Sequence, residues 1–296
     1  MRKLLLGLFW TALAGTHCAL ADERPASWTT PITPFQIADN LYYVGSQDLA
    51  SYLVVTPEGN ILINANLDTS PIQIRASMEQ LGLRWADTKI LLNSQAHSDH
   101  MGGASEIVRQ TKARNMVMDG DVQVVETGGR ADFAALSANV TLYAPTRVDR
   151  ILRDGDVVRL GGVELTAHKT AGHTRGCTTW TLRSHIAGDP PDRLRDIVIV
   201  GGTSFWSEYR FVAKPGHPES YPGIARDYQR TFATLRALPC DIFLGAHGEY
   251  FDLPVKLRRY PREGPRVFID PAGYARYVQD ADESFRKALR QQQAAG

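Results

Sequence analysis

The sequence predicts an α/β layered fold with mixed β-sheets. Short apolar runs bounded by turn residues are typical of buried strands, and they recur in both halves of the 296-residue chain. Segments with helix start and stop signals lie between these runs, so strands and helices alternate, with antiparallel hairpins among them. No linker rich in proline, glycine or serine divides the chain. We therefore expect one continuous layered unit.

In the first half of the chain, strands lie on both sides of a helix. Short apolar runs predict strands at 41–45, 51–56, 60–64 and 89–93. Ser70 is predicted to cap a helix that has Pro71 in its first position and ends at Gly82. A second helix is predicted to open at the glycines 102–103 and to run to about Thr111.

The second half continues the alternation. A strand-and-turn stretch is predicted over 147–169, and further strands are predicted at 178–182, 196–200 and 241–245. A long helix is predicted over 220–238 and a final helix from about Pro271 to Leu289. The last residues, 291–296, have the composition of a frayed tail.

The N-terminus has the features of a secretory signal peptide. Arg2 and Lys3 precede the apolar run LLLGLFWTALAG, which is too short to span a bilayer comfortably, and residues 19–21 form an A-x-A cleavage site. We expect a signal peptide over 1–21, export to the periplasm and a mature domain over 22–296. The alternative interpretation is an uncleaved membrane anchor.

Charge and cysteine content limit the partners that we expect. The 33 basic and 32 acidic residues nearly cancel, and no long basic run occurs. The charge therefore indicates neither nucleic acid nor an anionic membrane surface as a partner. Export permits a disulfide between Cys177 and Cys240, but we favour the interpretation that both are small buried apolar side chains. The oligomeric state stays open.

Four of the eight histidines lie in loops that follow apolar strands, where function is commonly built. These four are His97, His100, His173 and His247. Because His97, Asp99 and His100 would strand several polar groups if they only packed in a core, the string QAHSDH at 95–100 predicts a metal site. Imidazole and carboxylate are donors that suit zinc. Three histidines lack such context and are interpreted as structural or surface residues: His168, His185 and His217.

The string QAHSDHMGG resembles the H-x-H-x-D-H signature of the metallo-β-lactamase superfamily. The resemblance covers nearly the whole mature chain, and its stretches look like subclass B3 metallo-β-lactamases. They are PFQIADNLYYVGSQDLASYLVVTPEGNILIN, NSQAHSDHMGG, TAGHTRGCTTW, DIFLGAHGEYF and VFIDPAGY. The resemblance implies the fold of that family, a four-layer αβ/βα sandwich with two zinc ions at one edge.

The resemblance also implies the zinc ligands. The positions that match the first site are Gln95, His97 and His173. Those that match the second site are Asp99, His100 and His247. Gln95 stands where a histidine is usual, and a neutral amide oxygen is a poorer zinc donor than imidazole. Three interpretations stay open: a weak first site with one active metal at the second, normal occupancy as in some B3 members with glutamine, or loss of lactamase activity.

One position separates this chain from other hydrolases of the superfamily. Glyoxalase II-like enzymes and lactonases read Gly-Asp-Thr after the strand that matches 196–200, and that aspartate bridges the two metals. Here Gly202 replaces the aspartate, which favours β-lactam hydrolysis over lactone or thioester hydrolysis. The resemblance implies that Thr203 or Ser204 contacts the substrate carboxylate, although Phe205 and Trp206 are bulkier than usual.

These features predict a zinc-dependent hydrolase of β-lactam antibiotics: penicillins, cephalosporins and carbapenems. In this hypothesis Asp99 orients a metal-bound hydroxide, and Tyr209 donates a hydrogen bond to the developing oxyanion. The alternative for Tyr209 is a partly buried core residue. The alternative functions are another hydrolase of the same fold, acting on a lactone, thioester or phosphoester, and a non-catalytic exported zinc-binding protein.

Overall fold

The computed structural model describes residues 24–137 and 139–294, so the predicted signal peptide lies outside the described residues. Over these residues the chain forms two mixed β-sheets with helices packed on both outer faces. The predicted fold class is therefore confirmed. Within the same ranges, no helix has the length and apolar character needed to cross a bilayer.

The first sheet has seven strands, whose spatial order follows the chain. They are β1 (Phe35–Ala38), β2 (Leu41–Tyr43), β3 (Tyr52–Thr56), β4 (Gly59–Ile63), β5 (Thr88–Leu92), β6 (Arg114–Met118) and β7 (Arg150–Leu152). Pairing is antiparallel from β1 to β4 and parallel from β4 to β7.

The second sheet has five strands in the order β12-β11-β10-β9-β8. They are β8 (Val157–Leu160), β9 (Val163–Lys169), β10 (Thr178–Ser184), β11 (Arg195–Val200) and β12 (Ile242–Gly245). Only β11 and β12 pair in parallel. The helices are α1 (Ser70–Gln80), α2 (Ser98–Met101), α3 (Ala104–Thr111), α4 (Val122–Glu126), α5 (Ile224–Ala237), α6 (Leu253–Glu263) and α7 (Pro271–Ala294).

Strand β4 shows how the sequence builds the layers. Ile61 and Ile63 face the core between the sheets, where Trp180 of β10 also packs. Leu62 points the other way, into a second core with Ile74 of α1. Successive side chains of a strand point to opposite faces, so a strand that is covered on both faces reads as an unbroken apolar run.

Two hydrogen bonds join the sheets close to the loops at their edge. The hydroxyl group of Tyr52 on β3 donates to the carbonyl oxygen of Gly245 at the end of β12, at 2.7 Å. The indole N–H of Trp180 donates to the carbonyl oxygen of Asn93, just after β5, at 3.0 Å. These bonds fix the ends of β5 and β12 relative to the opposite sheet.

Several predicted boundaries are wrong for local reasons. Thr69 occupies the N-cap of α1 without a side-chain hydrogen bond, and Ser70 is already helical. The helix predicted from residue 220 begins at Ile224, because Gly223 has a positive φ of 86°. The tail predicted to fray is helical through Ala294, since Gln292 hydrogen-bonds to the backbone of residues 209 and 211.

The cysteines do not form a disulfide. Cys177 is buried, Cys240 is half-buried, and both are free thiols. The favoured interpretation of two small buried side chains holds for Cys177. For Cys240 it holds in part, because its side chain is less enclosed.

The Tyr52 hydrogen bond can be tested by Tyr52→Phe, which removes the hydroxyl group and keeps the ring. The buried Gly245 carbonyl then loses this donor, so we expect the free energy of unfolding to fall by about 1 to 3 kcal/mol in urea denaturation. Tyr42→Phe is the matched control, because the hydroxyl of this partly exposed residue accepts only a long, 3.4 Å hydrogen bond from Gln36. Equal losses in the two variants would contradict the cross-link.

Candidate metal centre

The candidate site lies at the edge where strands of both sheets end. The segment 93–101 follows β5, the loop with His173 follows β9, and His247 follows β12. Residues 98–101 form the short helix α2, which packs closely against the loop after β4. A Cβ atom on Gly102 would lie 2.5 Å from the carbonyl oxygen of Ser98 and 2.7 Å from the nitrogen of Asp68, so glycine is required at this close approach.

Three predicted ligands meet in one cluster. One ligating atom from each of Asp99, His100 and His247 lies within 4.8 Å of the other two. The Oδ2 atom of Asp99 is 3.2 Å from Nε2 of His100 and 3.4 Å from Nε2 of His247. Within residues 24–137 and 139–294, this is the one group of three or more His, Cys, Asp or Glu donors with such spacing. We call it the triad.

Two further predicted ligands face each other beside the triad. Nδ1 of His97 lies 3.1 Å from Nε2 of His173, and the two rings are nearly perpendicular. Gln95 is buried, and its amide oxygen accepts a hydrogen bond from the backbone N–H of His97 at 3.0 Å. The side-chain oxygen of Gln95 is therefore hydrogen-bonded to the backbone. In the triad, by contrast, three side chains direct atoms that can bind a metal toward one another.

The far ring nitrogens of the imidazole pair also have neighbours. Nε2 of His97 lies 3.5 Å from the carboxylate of Asp132, an ion-pair distance without an aligned hydrogen bond. Nδ1 of His173 lies 3.0 Å from the carbonyl oxygen of Ser204. These contacts leave Nδ1 of His97 and Nε2 of His173 as the atoms that face each other.

The triad contains nitrogen atoms that lack hydrogen bonds. Both ring nitrogens of His100 are buried and make no aligned hydrogen bond among the described residues, although Nε2 lies at ion-pair distance, 3.2 Å, from the carboxylate of Asp99. Buried imidazole nitrogens without hydrogen bonds are costly, and a cation shared with Asp99 would satisfy Nε2. Carboxylate and imidazole are donors for a divalent metal such as zinc, so the residues present fit such an ion.

The electrostatics of the triad agree with this fit. Burial acts to raise the pKa of Asp99, but His100 and His247 outweigh it and hold that pKa well below its usual range. Burial lowers the pKa of His100, so its ring is neutral. Burial also acts to lower the pKa of His247, but hydrogen bonds to Asp48 and Asp99 raise it to about 9. Metal binding would displace that proton.

A cavity of about 480 Å³ opens over these groups. Its floor contains His97, Asp99, His173 and His247, and Trp28 and Trp206 line its sides. The indole of Trp206 stacks on the His97 ring, with centroids 4.9 Å apart. Phe205 is directed elsewhere and packs edge-on against Phe211, 5.2 Å away. Of the two bulky residues noted in the sequence, only Trp206 therefore shapes the cavity.

Of the residues predicted to contact the substrate, only Ser204 lies at the surface of the cavity. Thr203 is buried and its hydroxyl pairs with that of Tyr277 at 2.8 Å, which argues against contact with a substrate. Ser204 is exposed and lines the cavity. Tyr209 is 2% exposed, and its hydroxyl donates to the carbonyl oxygen of His173 at 2.7 Å. The expected role of Tyr209 as oxyanion donor does not fit this placement, because its proton is directed at the backbone.

Sequence reasoning missed two carboxylates that contact the histidines. Asp132 approaches His97, and Asp48 lies 3.0 Å from Nδ1 of His247. Asp48 lies in one of the stretches that carry the family resemblance, but nothing marked it as a partner of His247. Of the three histidines interpreted as structural or surface residues, His168 pairs with Thr181.

Comparisons with known proteins agree with the geometry. The sequence model of the metallo-beta-lactamase superfamily matches residues 49–247. The native FEZ-1 metallo-beta-lactamase from Legionella gormanii is 44% identical, with a TM-score of 0.84 over 89% of this chain and 98% of that one. The class B3 di-zinc metallo-beta-lactamase LRA-12 from an Alaskan soil metagenome is 35% identical, with a TM-score of 0.81 over 90% and 97%.

A curated relative gives a more general description. A probable metallo-hydrolase of Burkholderia pseudomallei is 30% identical over 186 residues. This match covers 60% of the present chain and 60% of the relative. The chain thus spans less than two thirds of that relative's length.

The triad can be tested by replacing one of its donors. We expect His247→Ala to lose a zinc ion that the unaltered protein retains through dialysis, because two donors hold zinc far less tightly than three. Elemental analysis of the dialysed protein measures the content. His217→Ala is the matched control, since this exposed histidine lies outside the cluster, and its zinc content should not change. Equal zinc content in both variants would rule out the triad.

Proposed function

Because the chain belongs to the metallo-β-lactamase superfamily, we propose that it is a zinc-dependent hydrolase that opens the β-lactam ring of penicillins, cephalosporins and carbapenems. The observation that carries the proposal is the triad Asp99, His100 and His247, of which Asp99 and His247 line an open cavity while His100 lies buried behind them. The likeness to FEZ-1 over nearly its whole length supports the same conclusion.

The proposed second zinc site consists of the triad. The proposed first site consists of Gln95, His97 and His173. Zinc, when bound, lowers the pKa of a coordinated water toward about 7 and polarises a carbonyl oxygen. Asp99 is ionised and its Oδ2 atom faces both triad imidazoles. Because an ionised carboxylate accepts hydrogen bonds, Asp99 can also accept one from the attacking water and orient that water.

The cavity walls provide the proposed substrate contacts. Ser204 is exposed and lines the cavity, and its hydroxyl oxygen lies 3.3 Å from Nδ1 of His173. In the proposed complex this hydroxyl turns to the cavity and donates a hydrogen bond to the substrate carboxylate. Trp206 offers a flat apolar surface beside His97, and Trp28 does so near His247. Tyr209 holds the backbone of His173 in place, because its buried hydroxyl donates to the His173 carbonyl oxygen rather than toward the cavity.

The glycine at position 202 favours a β-lactam over a lactone or thioester as substrate. A Cβ atom there would meet a ring carbon of His173 at 3.5 Å and the Cys177 sulfur at 3.6 Å, which are ordinary contacts. The fold thus has room for a first side-chain atom, and steric conflict does not explain the missing acid. The family resemblance implies that many relatives that hydrolyse lactones or thioesters carry a metal-bridging aspartate at this position.

We further propose that residues 1–21 direct export and that the mature hydrolase domain, 22–296, works in the periplasm. The charged start, short apolar run and A-x-A site support this location. The sequence gives no reason to expect nucleic acid as a partner.

The activity is tested with purified protein and one substrate from each of the three β-lactam classes. We expect ring opening that a chelator abolishes and added zinc restores. A lactone and a thioester serve as comparison substrates and should be hydrolysed much more slowly. No chelator-sensitive ring opening on any β-lactam would refute the proposal, and preferred turnover of the lactone or thioester would favour the alternative hydrolase.

Gln95→His tests whether glutamine weakens the first site. After dialysis against a mild chelator, we expect about one zinc ion per unaltered chain and about two per variant chain, because imidazole is the better donor. Gln80→His, on the exposed end of α1, is the matched control and should match the unaltered chain. Two tightly held zinc ions in the unaltered protein would show that Gln95 does not weaken zinc binding at the first site.

A further inference from the structure

Asp48 lies outside the proposed ligand set and just before the segment that the family model matches. It holds the loop after β12 at three points. Its Oδ2 atom lies 3.0 Å from Nδ1 of His247, and its Oδ1 atom accepts a hydrogen bond from the backbone N–H of Glu249 at 3.0 Å. Its carbonyl oxygen accepts another from the backbone N–H of Gly248. The segment 247–249 is thus attached to one residue.

The contact with Nδ1 decides what the other ring nitrogen of His247 can do. A neutral imidazole carries one N–H group and one lone pair. If the N–H group is on Nδ1 and donates to Asp48, the lone pair is on Nε2, the atom that lies 3.4 Å from Oδ2 of Asp99. The bond also sets the ring orientation, because Asp48 is itself fixed by the two backbone N–H groups.

His247 needs this orientation more than the other members of the triad. Asp99 and His100 are adjacent on α2, so the helix backbone sets their relative positions. His247 comes from the other sheet, and its ring must be directed toward α2 by contacts of its own. Trp28 adds to these contacts, since its indole lies 5.8 Å from the His247 ring and its side chain helps to lower the pKa of Asp48.

We propose that Asp48 is a positioning residue of the second metal site. By accepting the Nδ1 proton of His247, it selects the tautomer and fixes the ring orientation that present Nε2 to a metal ion shared with Asp99 and His100. This inference rests on the proposed function only for the presence of the metal. Loss of such an outer carboxylate typically weakens metal affinity by about 10- to 100-fold.

The experiment isolates the second site in a His173→Ala background, which removes one imidazole of the first site. Zinc affinity is measured by competition with a chromophoric chelator. The parent is compared with the same protein carrying Asp48→Asn or Asp48→Ala. We expect about 10- to 100-fold weaker binding, with the larger loss for alanine, because asparagine retains one acceptor oxygen for the two donors.

Asp132→Asn in the same background is the matched control. Asp132 approaches His97 of the other pair, so this change should leave second-site affinity within about twofold. Thermal unfolding of the metal-free proteins separates positioning from a structural role. A purely structural Asp48 would lower the melting temperature without changing the zinc affinity of the folded protein. If Asp48→Ala does not fold, Asp48→Asn carries the test.

The outcomes separate this inference from the function on which it rests. Asp48 variants that bind zinc within about twofold of the parent, while the unaltered protein opens β-lactams, overturn the positioning role alone. A His173→Ala parent that binds no zinc overturns the triad as a metal site, and with it both proposals. An equal loss for Asp132→Asn and Asp48→Asn also overturns the inference, because the effect would then not depend on contact with His247.

Discussion

Closure of one sheet against the other brings the three atoms of the triad within reach of one another. Asp99 and His100 follow β5 of the first sheet, whereas His247 follows β12 of the second. They can meet within 4.8 Å only because the apolar faces of both sheets pack into one core at this edge. The hydrogen bond from Tyr52 to Gly245 fixes the chain two residues before His247. The packing of the two sheets therefore also sets the distances between the triad residues.

The buried polar groups of the site work against the stability that this packing provides. His100 is fully buried and makes no aligned hydrogen bond among the described residues, an arrangement that costs free energy when no ion is bound. A ligand that binds only the folded state stabilises it in proportion to its affinity. We therefore regard the proposed zinc ion as part of the folded structure as well as of the chemistry.

The two halves of the proposed centre are unequal. The triad has three ionisable donors directed at one another, while the other half has two imidazoles and an amide whose oxygen is hydrogen-bonded to the backbone. Trp206 covers one of those imidazoles. Glutamine rather than histidine at position 95 accounts for the amide in the weaker half. The triad is therefore the part of the centre on which the proposed activity depends most.

The sequence predicted the parts of the fold that have strong local signals. Apolar runs such as 89–93 and 196–200 were recognisable because strands buried on both faces carry few polar residues. Strand β6 was missed, since its first two residues are arginine and asparagine. Helix α6 was missed because it contains prolines at positions 254 and 261, and proline inside a segment usually argues against a helix.

The same limit applies to the candidate site. Histidines in loops after strands could be found from the sequence, because polar strings there have no packing role. The direction of a hydroxyl group could not, so the sequence leaves Tyr209 open between an oxyanion donor and a core residue. In the structure Tyr209 is buried and its hydroxyl donates to the backbone of His173. Asp48 contacts His247, and Asp132 contacts His97. In both pairs the residues are far apart in the sequence, so no local pattern predicts the contact.

Anomalous diffraction at the zinc absorption edge, from crystals of the protein grown with zinc, tests the central claim most directly. We expect a strong peak bounded by Asp99, His100 and His247, with a weaker peak at Gln95, His97 and His173. A strong peak at Gln95, His97 and His173, with none in the triad, would contradict this expectation.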